Sequence, residues 1–241
     1  MCTVTFIARK RGYALGMNRD ENLTRVQALP PTLREFRGVR TLSPCEPSGG
    51  TWIGVNSSAV TYALINWYSI SARAPSIGIS RGQVVLSMLP CVSSKESGKA
   101  FEQIDLGLVN PFRLIAVFAQ QQEIIEWRWD LLELKRVDHP WADRNWISSG
   151  FDEKGAQITR RQAYDGAVQQ TTKGSLAWLR RLHSSHAPER GPYSTCMHRL
   201  DAATVSYTEI AVSKTQAIMR YSEGAPCGAS TLSLHRLHLN P

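Results

Sequence analysis

The sequence predicts an α+β protein with largely antiparallel sheets, and three patterns along the chain support this class. Paired strand patterns joined by short turns dominate residues 2–66 and return at residues 112–129. Helical patterns fill residues 81–105 and 153–185, and strand patterns close the chain. Strands joined by short turns pair antiparallel, and sheets and helices pack in layers. Two antiparallel sheets flanked by helices fit these patterns, and other α+β arrangements stay open.

The predicted strands follow one another as hairpins. CTVTFIA alternates two sets of side chains and, after a turn at residues 9–12, returns as YALGM. The second hairpin joins TWIGV to VTYALINWY through NSSA, and the third joins FRLIAVF to EIIEWRW through AQQQ. Residues 22–50 are rich in Pro, Thr and Arg and are predicted to form a long loop. The closing strands are predicted at YSTCMHR, ATVSYTEIAV and QAIMRYS.

The two helical stretches differ in how they begin and break. Pro90 interrupts the first, and the second places leucines at helical spacing and is predicted to form one or two helices. GISRG at residues 78–82 matches the G-x-S-x-G nucleophile elbow, but that motif needs a buried strand before it, and SISARAPSIG is typical of a linker. We therefore predict that Ser80 and Gln83 form a capping box at a helix start.

Length and composition are those of an ordinary globular protein. The 241 residues suit one domain, and we expect a single domain over residues 1–241. No stretch approaches the roughly 20 apolar residues of a membrane helix, so we expect no membrane span. The N-terminal apolar run precedes the basic residues 9–11, which is the reverse of a signal peptide, and we therefore expect a cytoplasmic protein.

Cysteine spacing and charge argue against several ligand classes. The five cysteines are scattered without a CxxC pair, and the short-spaced pairs lack a third ligand at motif spacing, so we expect no metal and no cofactor. These pairs are His183 and His186, Cys196 and His198, and His235 and His238. The net charge of +8 comes without aromatics among the basic residues, so we expect no nucleic-acid partner, and the charge favours an anionic small-molecule substrate. The pattern leaves the oligomeric state open.

The first hairpin brings chemically active groups together at the N-terminus. If its turn is centred near residues 10 and 11, residue i faces roughly residue 21 − i, so Cys2 faces Arg19, which precedes Asp20. Cys2 is small enough for methionine aminopeptidase to remove Met1, which would leave an α-amine and a thiol on one residue. The amine, with a pKa of about 7.7–8.0, can accept the proton of a thiol whose pKa is about 8.5. A nucleophile then carries its own adjacent base.

Three side chains are candidates for assisting such a nucleophile. A nearby Arg19 favours the thiolate, and Asp20 could hold the amine through a charge-assisted hydrogen bond. Asn66 ends the otherwise apolar pattern ALIN and is a candidate hydrogen-bond donor to an oxyanion. The structural alternatives are a surface ion pair for Arg19 and Asp20 and a turn-capping role for Asn66.

These residues resemble the NRDE family, also called the transport and Golgi organisation family. Met1-Cys2 with NRDE at residues 18–21, GGTWIGV at 49–55, ALIN at 63–66, SRG at 80–82 and NPFRLI at 110–115 carry the resemblance. The family is similar in turn to the cysteine N-terminal-nucleophile hydrolases, including the choloylglycine hydrolase group. The resemblance implies a four-layer αββα sandwich, in which two antiparallel sheets are flanked by helices.

The resemblance also implies site residues. The matching positions are Cys2, Arg19, Asp20 and Asn66 as catalytic residues, and Asn18, Trp67 and Arg190 as substrate-binding residues. Two departures stand out. Arg19 and Asp20 are adjacent, so on a regular strand only one of them faces Cys2, and Asn18 could then replace Arg19. The hydrolases also carry an asparagine on a later strand, where this chain reads WISSG at residues 146–150.

Two function classes follow from the resemblance. The first is a hydrolase that cleaves the C–N bond of a linear acyl amide through an acyl thioester on Cys2. The second is a non-catalytic protein of lipid or haem handling or of trafficking that retains the pocket. The N-terminal group of residues favours the first class, and the missing later asparagine favours the second.

Overall fold

The computed structural model describes residues 2–76, 78–228 and 231–240. Within these residues the chain forms thirteen strands, four α-helices and one short 3-10 helix. The strands are β1 (Cys2–Ala8), β2 (Tyr13–Asn22), β3 (Leu29–Phe36), β4 (Val39–Cys45), β5 (Ile53–Asn56), β6 (Val60–Asn66), β7 (Phe112–Phe118), β8 (Glu123–Trp129), β9 (Leu134–His139), β10 (Arg144–Ser148), β11 (Ala202–Val212), β12 (Gln216–Glu223) and β13 (Ser233–His238). The helices are α1 (Arg81–Met88), α2 (Ser94–Phe101), α3 (Glu153–Ala167) and α4 (Leu176–His183), and the 3-10 helix is Leu106–Leu108.

The strands form two sheets. The six-stranded sheet has the order β10-β1-β2-β11-β12-β13, and the seven-stranded sheet runs from β3 to β9 in chain order. The pairs of β1 with β10 and β2 are antiparallel, as are the successive pairs from β3 to β9. The predicted α+β class with two antiparallel sheets is confirmed.

The chain divides into two compact units that alternate along the sequence. The first consists of Met1–Arg25, Ala142–Ala211 and Arg220–Leu234, and the second of Val26–Trp141, Val212–Met219 and His235–Pro241. The first unit contains β1, β2, β10, α3 and α4, and the second contains the seven-stranded sheet with α1 and α2. The single domain over residues 1–241 stays a prediction.

In the first unit, α4 packs closely on one face of the β1–β2 hairpin. Ile7 and Ala14, which are cross-strand partners, are buried in one apolar cluster with Trp178 and Leu179 of α4. Gly16 makes this approach possible, because a Cβ there would lie 3.0 Å from Nε2 of His183. The face of β1 that carries Thr3, Thr5 and Ile7 is therefore the face that the helices cover.

In the second unit, α1 and α2 share one apolar core with β6, β7 and β8. Trp127 and Trp129 are buried in this core. Two of the sequence motifs also meet here, because a Cβ on Gly50 would lie 3.1 Å from the Cα of Gly82. Glycine in both GGTW and SRG thus permits a close approach of two backbones.

Three predictions of local structure are wrong. Residues 22–50 contain β3 and β4 rather than one long loop. Pro30 and Pro31 suggested a loop, but β3 is an edge strand, where proline is tolerated, and its register shifts between Leu29 and Thr32. Ser80 does occupy the N-cap of α1, but its side chain makes no capping hydrogen bond.

The third wrong prediction is the strand at YSTCMHR. Residues 193–199 form turns with one isolated bridge, between His198 and Ala203. Their backbone is bonded elsewhere, since the Cys196 N–H donates to the carbonyl of Ser185 at 3.0 Å and the His198 N–H donates to that of Gly191 at 3.1 Å. The strands β9, β10 and β13 were not predicted.

Candidate functional site

Cys2 lies at the start of β1, between residues of the two neighbouring strands. Its cross-strand partners are Arg19 in β2 and Ser148 in β10. Each partner pair of the β1–β2 hairpin sums to 21, which confirms the predicted register. Residues directly opposite in antiparallel strands project from the same face, with Cβ atoms about 4.5–5.5 Å apart. Ser148, Cys2 and Arg19 therefore form a row on one face of the sheet, which we call the thiol row.

The thiol of Cys2 is shielded in the described chain. The residue is only 7% exposed. Burial raises the pKa of the Cys2 thiol, and the Asp20 carboxylate raises it further, while the Arg19 guanidinium and a hydrogen bond to the Asp20 backbone lower it. Removal of Met1 concerns a residue outside the described ones and stays a prediction, as does the lowered pKa of a processed Cys2.

The two neighbours of Cys2 in the thiol row are polar and buried. Arg19 is 5% exposed, and its Nη2 donates to Oε2 of Glu21 at 3.3 Å. The Oγ of Ser148 is buried and has no hydrogen-bond partner among the described residues. Sequence reasoning singled out residues 146–150 for lacking an asparagine but did not recognise Ser148, because its position opposite Cys2 depends on the unpredicted pairing of β10.

Asp20 projects to the opposite face, toward α3. Its Oδ2 accepts from Nη1 of Arg160 at 3.2 Å, and its Oδ1 accepts from Oγ1 of Thr204 at 2.6 Å. Both side chains of the ion pair are fully buried. Arg160 also donates to Oγ1 of Thr3 at 2.9 Å, so it ties α3 to both strands of the hairpin. Because Arg19 and Asp20 are adjacent on a regular strand, their side chains point to opposite faces, and no bulge intervenes.

Asn18 is bonded within the first unit, and its predicted substrate-binding role stays a prediction. Its Nδ2 donates to the carbonyls of His183 and Thr195 at 2.9 and 2.8 Å, and its Oδ1 lies 3.0 Å from Nδ1 of His183. The side chain is completely buried beneath α4. It cannot replace Arg19 beside Cys2, because its cross-strand partner is Thr3. Asn18 is a packing residue that joins the hairpin to α4.

Arg160 is the residue of this region that sequence reasoning missed. The sequence offers the pair Arg160-Arg161 within a predicted helical stretch, and the pair alone does not indicate which arginine is buried. Arg160 is 1% exposed, whereas Arg161 forms an exposed ion pair with Asp165. The available signal was the position of Arg160 four residues after Ala156, on the buried face of α3.

Asn66 and Trp67 belong to the second unit. Asn66 is the last residue of β6, is half-buried, and donates from Nδ2 to the Tyr68 hydroxyl at 2.8 Å. An amide nitrogen carries two hydrogens, so this bond uses one of them. Trp67 follows directly and its backbone N–H donates to the carbonyl of Pro111. The predicted approach of Asn66 to Cys2 stays a prediction.

Arg190, the third candidate for substrate binding, lies beside a different group of residues. It is exposed, and its Nη2 lies 3.2 Å from Nδ1 of His198. His198 in turn contacts His186, Cys196 and Cys227. The substrate-binding role of Arg190 stays a prediction.

Solved structures with the same arrangement define the class of fold. A mutant of conjugated bile acid hydrolase from Clostridium perfringens, with a cysteine replaced by alanine, matches with a TM-score of 0.57 at 9% identity, over 98% of this chain and 92% of that one. Penicillin V acylase from Agrobacterium tumefaciens matches with a TM-score of 0.59 at 12% identity, over 99% and 86%. The chain has the fold of the N-terminal-nucleophile hydrolases.

The family model for Transport and Golgi organisation 2 matches residues 1–131, and the chain therefore belongs to that family. No curated protein matches the sequence significantly. Among the described residues no helix combines the length and the apolar character that crossing a membrane requires.

Proposed function

We propose that this protein is an N-terminal-nucleophile hydrolase that cleaves the C–N bond of a linear acyl amide, with Cys2 as the nucleophile after removal of Met1. One observation carries the proposal: Cys2 stands at the start of a central strand with Arg19 and Ser148 beside it on one face. The fold shared with amide-cleaving enzymes supports it. The substrate class is that of small molecules with an acyl group.

The proposed reaction has two steps. The α-amine of processed Cys2 takes the thiol proton, and the thiolate attacks the amide carbonyl, so that a C–S bond forms and the carbonyl oxygen becomes an oxyanion. The ammonium returns the proton to the leaving nitrogen as the C–N bond breaks. Water then attacks the thioester carbonyl and gives its proton to the amine, and the thiol is released with the proton that the amine collected.

The neighbours of Cys2 have distinct proposed roles. Arg19 favours the thiolate by its positive charge. The Ser148 hydroxyl is a hydrogen-bond donor for the reacting groups, and Asn66 is the proposed donor to the oxyanion. Asp20 acts indirectly, since its carboxylate is bound by Arg160 and Thr204 and fixes the end of β2.

The test is trapping of the acyl-enzyme. Protein with a verified N-terminal Cys2 is mixed with a panel of N-acyl amides, quenched in acid and weighed intact. We expect a mass increase equal to the acyl group, located on the N-terminal peptide and absent from Cys2→Ala. Cys91→Ser, which removes a thiol of the second unit, should form the same adduct. Processed protein that gives neither adduct nor free amine across the panel would contradict the proposal.

A second candidate is a non-catalytic lipid- or haem-binding protein with the same fold. It is favoured by Ser148, which stands opposite Cys2 in a region where the related hydrolases carry an asparagine. In that case haem or a fluorescent fatty acyl probe should bind with equal affinity to wild type and to Cys2→Ser, without any amide cleavage by wild type. Turnover that depends on Cys2 would exclude this candidate.

A further inference from the structure

Four potential metal ligands converge in the first unit, where the fold joins the short-spaced pair Cys196 and His198 to His186 and Cys227. His186, Cys196, His198 and Cys227 each offer one ligand atom, and these atoms all lie within 4.8 Å of one another. Three of the residues come from the turns at 184–198, and Cys227 comes from the segment after β12. The fold thus separates His186 from His183, which is the last residue of α4 and is buried against Asn18.

Three distances that meet at Nε2 of His198 agree with tetrahedral coordination of a metal. Nε2 of His186 lies 3.1 Å from Nε2 of His198, and the Sγ atoms of Cys196 and Cys227 lie 3.6 and 3.4 Å from the same Nε2 of His198. Zinc bonds of about 2.0–2.1 Å to nitrogen and about 2.3 Å to sulfur, at tetrahedral angles, place two nitrogens about 3.3 Å apart and a nitrogen and a sulfur about 3.5 Å apart. The observed separations match both.

Hydrogen bonding alone does not explain the convergence on Nε2 of His198. Nδ1 of His198 faces Nη2 of Arg190, a group that can only donate. A neutral His198 that accepts this bond has one proton on Nε2, whereas one nitrogen and two sulfurs surround that atom. One shared proton cannot serve three partners, but one cation can hold all four ligand atoms.

The ligand set suits a soft divalent metal. Imidazole nitrogens and thiolate sulfurs are typical zinc ligands, so metal binding would release the thiol protons of Cys196 and Cys227. Zn²⁺ with two thiolates and two imidazoles is electrically neutral, which limits the cost of placing it in this partly buried position.

We propose that His186, Cys196, His198 and Cys227 form a structural zinc site of the Cys₂His₂ type. This revises the expectation of a protein without metal. With Nε2 bound to zinc, the proton of His198 stands on Nδ1, so Arg190 must turn away, which its exposed position allows. All four ligand positions are taken by protein, and such closed sites are structural.

The site would fix the turns that hold Asp20. Met197, between two of the ligands, donates from its backbone N–H to Oγ1 of Thr204 at 2.8 Å, and Thr204 donates from that hydroxyl to Oδ1 of Asp20 at 2.6 Å. Thr195, which precedes Cys196, accepts from Asn18 through its carbonyl. The metal cluster is thereby connected to both polar residues on the helix-covered face of the hairpin.

The first measurement is the metal content of the full chain, purified under reducing conditions without chelator, by plasma mass spectrometry. We expect about one zinc per chain. Cys196→Ser, Cys227→Ser and His186→Gln should each lower zinc affinity by more than about 100-fold, measured in competition with a chromophoric chelator. The matched controls Cys91→Ser, His238→Gln and Arg190→Ala should keep the stoichiometry and affinity.

A second measurement does not depend on folding of the variants. Wild-type protein is stripped with chelator and titrated with Co²⁺, and we expect a 1:1 endpoint with the intense visible bands of a tetrahedral site and thiolate-to-cobalt charge transfer. Absence of binding, an octahedral cobalt spectrum, or zinc retained by all ligand variants would overturn the proposal. A disulfide between Cys196 and Cys227 in the freshly reduced and purified protein would overturn it as well, because it would identify a redox pair.

Discussion

The two faces of the β1–β2 hairpin both carry buried polar residues but use them differently. On the helix-covered face, Asp20 and Asn18 are bonded to side chains and carbonyls of α3, α4 and the turns after α4. On the other face, the thiol row places a buried cysteine between an arginine and a serine whose hydroxyl has no partner in the described part of the chain. Polar residues on the first face hold the hairpin against the helices, and those on the second face surround the proposed nucleophile.

This difference shows how one short motif can serve two purposes. In NRDE, side chains alternate between faces, so Arg19 joins the thiol row while Asn18 and Asp20 bond the helices. The carboxylate closest in sequence to the proposed nucleophile thus bonds to Arg160 and Thr204 on the other face. The following predictions change one face at a time.

Cys2→Ala should have the largest effect on activity. It removes the proposed nucleophile, so amide turnover should fall by more than about 10⁴-fold, while the fold is kept because alanine fits the same buried position. Turnover is measured by amine release and folding by circular dichroism. Turnover at the wild-type level would show that the thiol row is not the reaction centre.

Arg160→Met should have the largest effect on stability. It leaves the Asp20 carboxylate buried without its cation, which costs about 3–5 kcal/mol of unfolding free energy. Urea denaturation measures the loss. Arg161→Met, one position along the same helix, removes an exposed ion pair with Asp165 and a cation–π contact with Tyr164, and should cost only about 1 kcal/mol.

The double variant Arg160→Met/Asp20→Asn sharpens this test. Because neither charge remains buried alone, it should recover part of the stability that Arg160→Met loses. If Arg160→Met were as stable as Arg161→Met, Asp20 would not depend on α3 for its charge balance.

Asn66→Ala should lower turnover by roughly 10²–10³-fold with little change in substrate affinity, because an oxyanion exists only along the reaction path. Steady-state kinetics separate the two effects. Tyr68→Phe is the matched control, since it removes the hydroxyl that Asn66 contacts but keeps the amide. An unchanged turnover number for Asn66→Ala would exclude it from the mechanism.

The buried His183 predicts a smaller, pH-dependent effect on the helix-covered face. Burial, with a contribution from Arg160, lowers the pKa of His183 to about 3. Below about pH 6.5 this histidine is protonated in the unfolded chain but stays neutral in the folded chain. Its contribution to the free energy of unfolding is therefore fully present above that pH and is lost as the pH falls toward 3, at about 1.4 kcal/mol per pH unit. Burial also lowers the pKa of His235, and its contribution has the same sign.

His183→Gln isolates the contribution of this one residue. The variant should be less stable at pH 7, because the bonds of the imidazole to Asn18 and Thr5 are lost. Its unfolding free energy should nevertheless fall less steeply than that of wild type between pH 6.5 and pH 4.5. Parallel slopes for the two proteins would mean that His183 titrates normally in the folded state.

The sequence predicted the features that depend on local pattern. Alternation in CTVTFIA and the turn after it determine the hairpin register, so the pairing of Cys2 with Arg19 followed from sequence alone. Edge strand β3 was missed because its prolines are typical of loops and its pairing depends on a neighbour. The hidden partners of the site, Ser148 and Arg160, come from segments more than 120 residues away in sequence from Cys2 and Asp20, and no local pattern could assign them.

The metal cluster shows the same limit. Sequence reasoning compared histidines and cysteines with their nearest neighbours, where His183 and His186 form a pair. In the fold, His183 packs on the helix-covered face of the hairpin, whereas His186 lies beside Cys196, His198 and Cys227. The decisive contact, with Cys227, depends on the return of β11 and β12 beside the hairpin.

The central claim is that Cys2 becomes the N-terminal residue and that its own amine activates its thiol. The most direct test is iodoacetamide labelling near pH 7, followed by intact and peptide mass spectrometry, of protein made with its own start and of protein with an uncleavable extension before Cys2. We expect the first protein to lack Met1 and to be labelled at Cys2 before the other four cysteines. The extended protein, whose Cys2 nitrogen is a non-basic amide and whose buried thiol has a raised pKa, should be labelled there more slowly. Retention of Met1, or equal labelling of Cys2 in both proteins, would contradict the account.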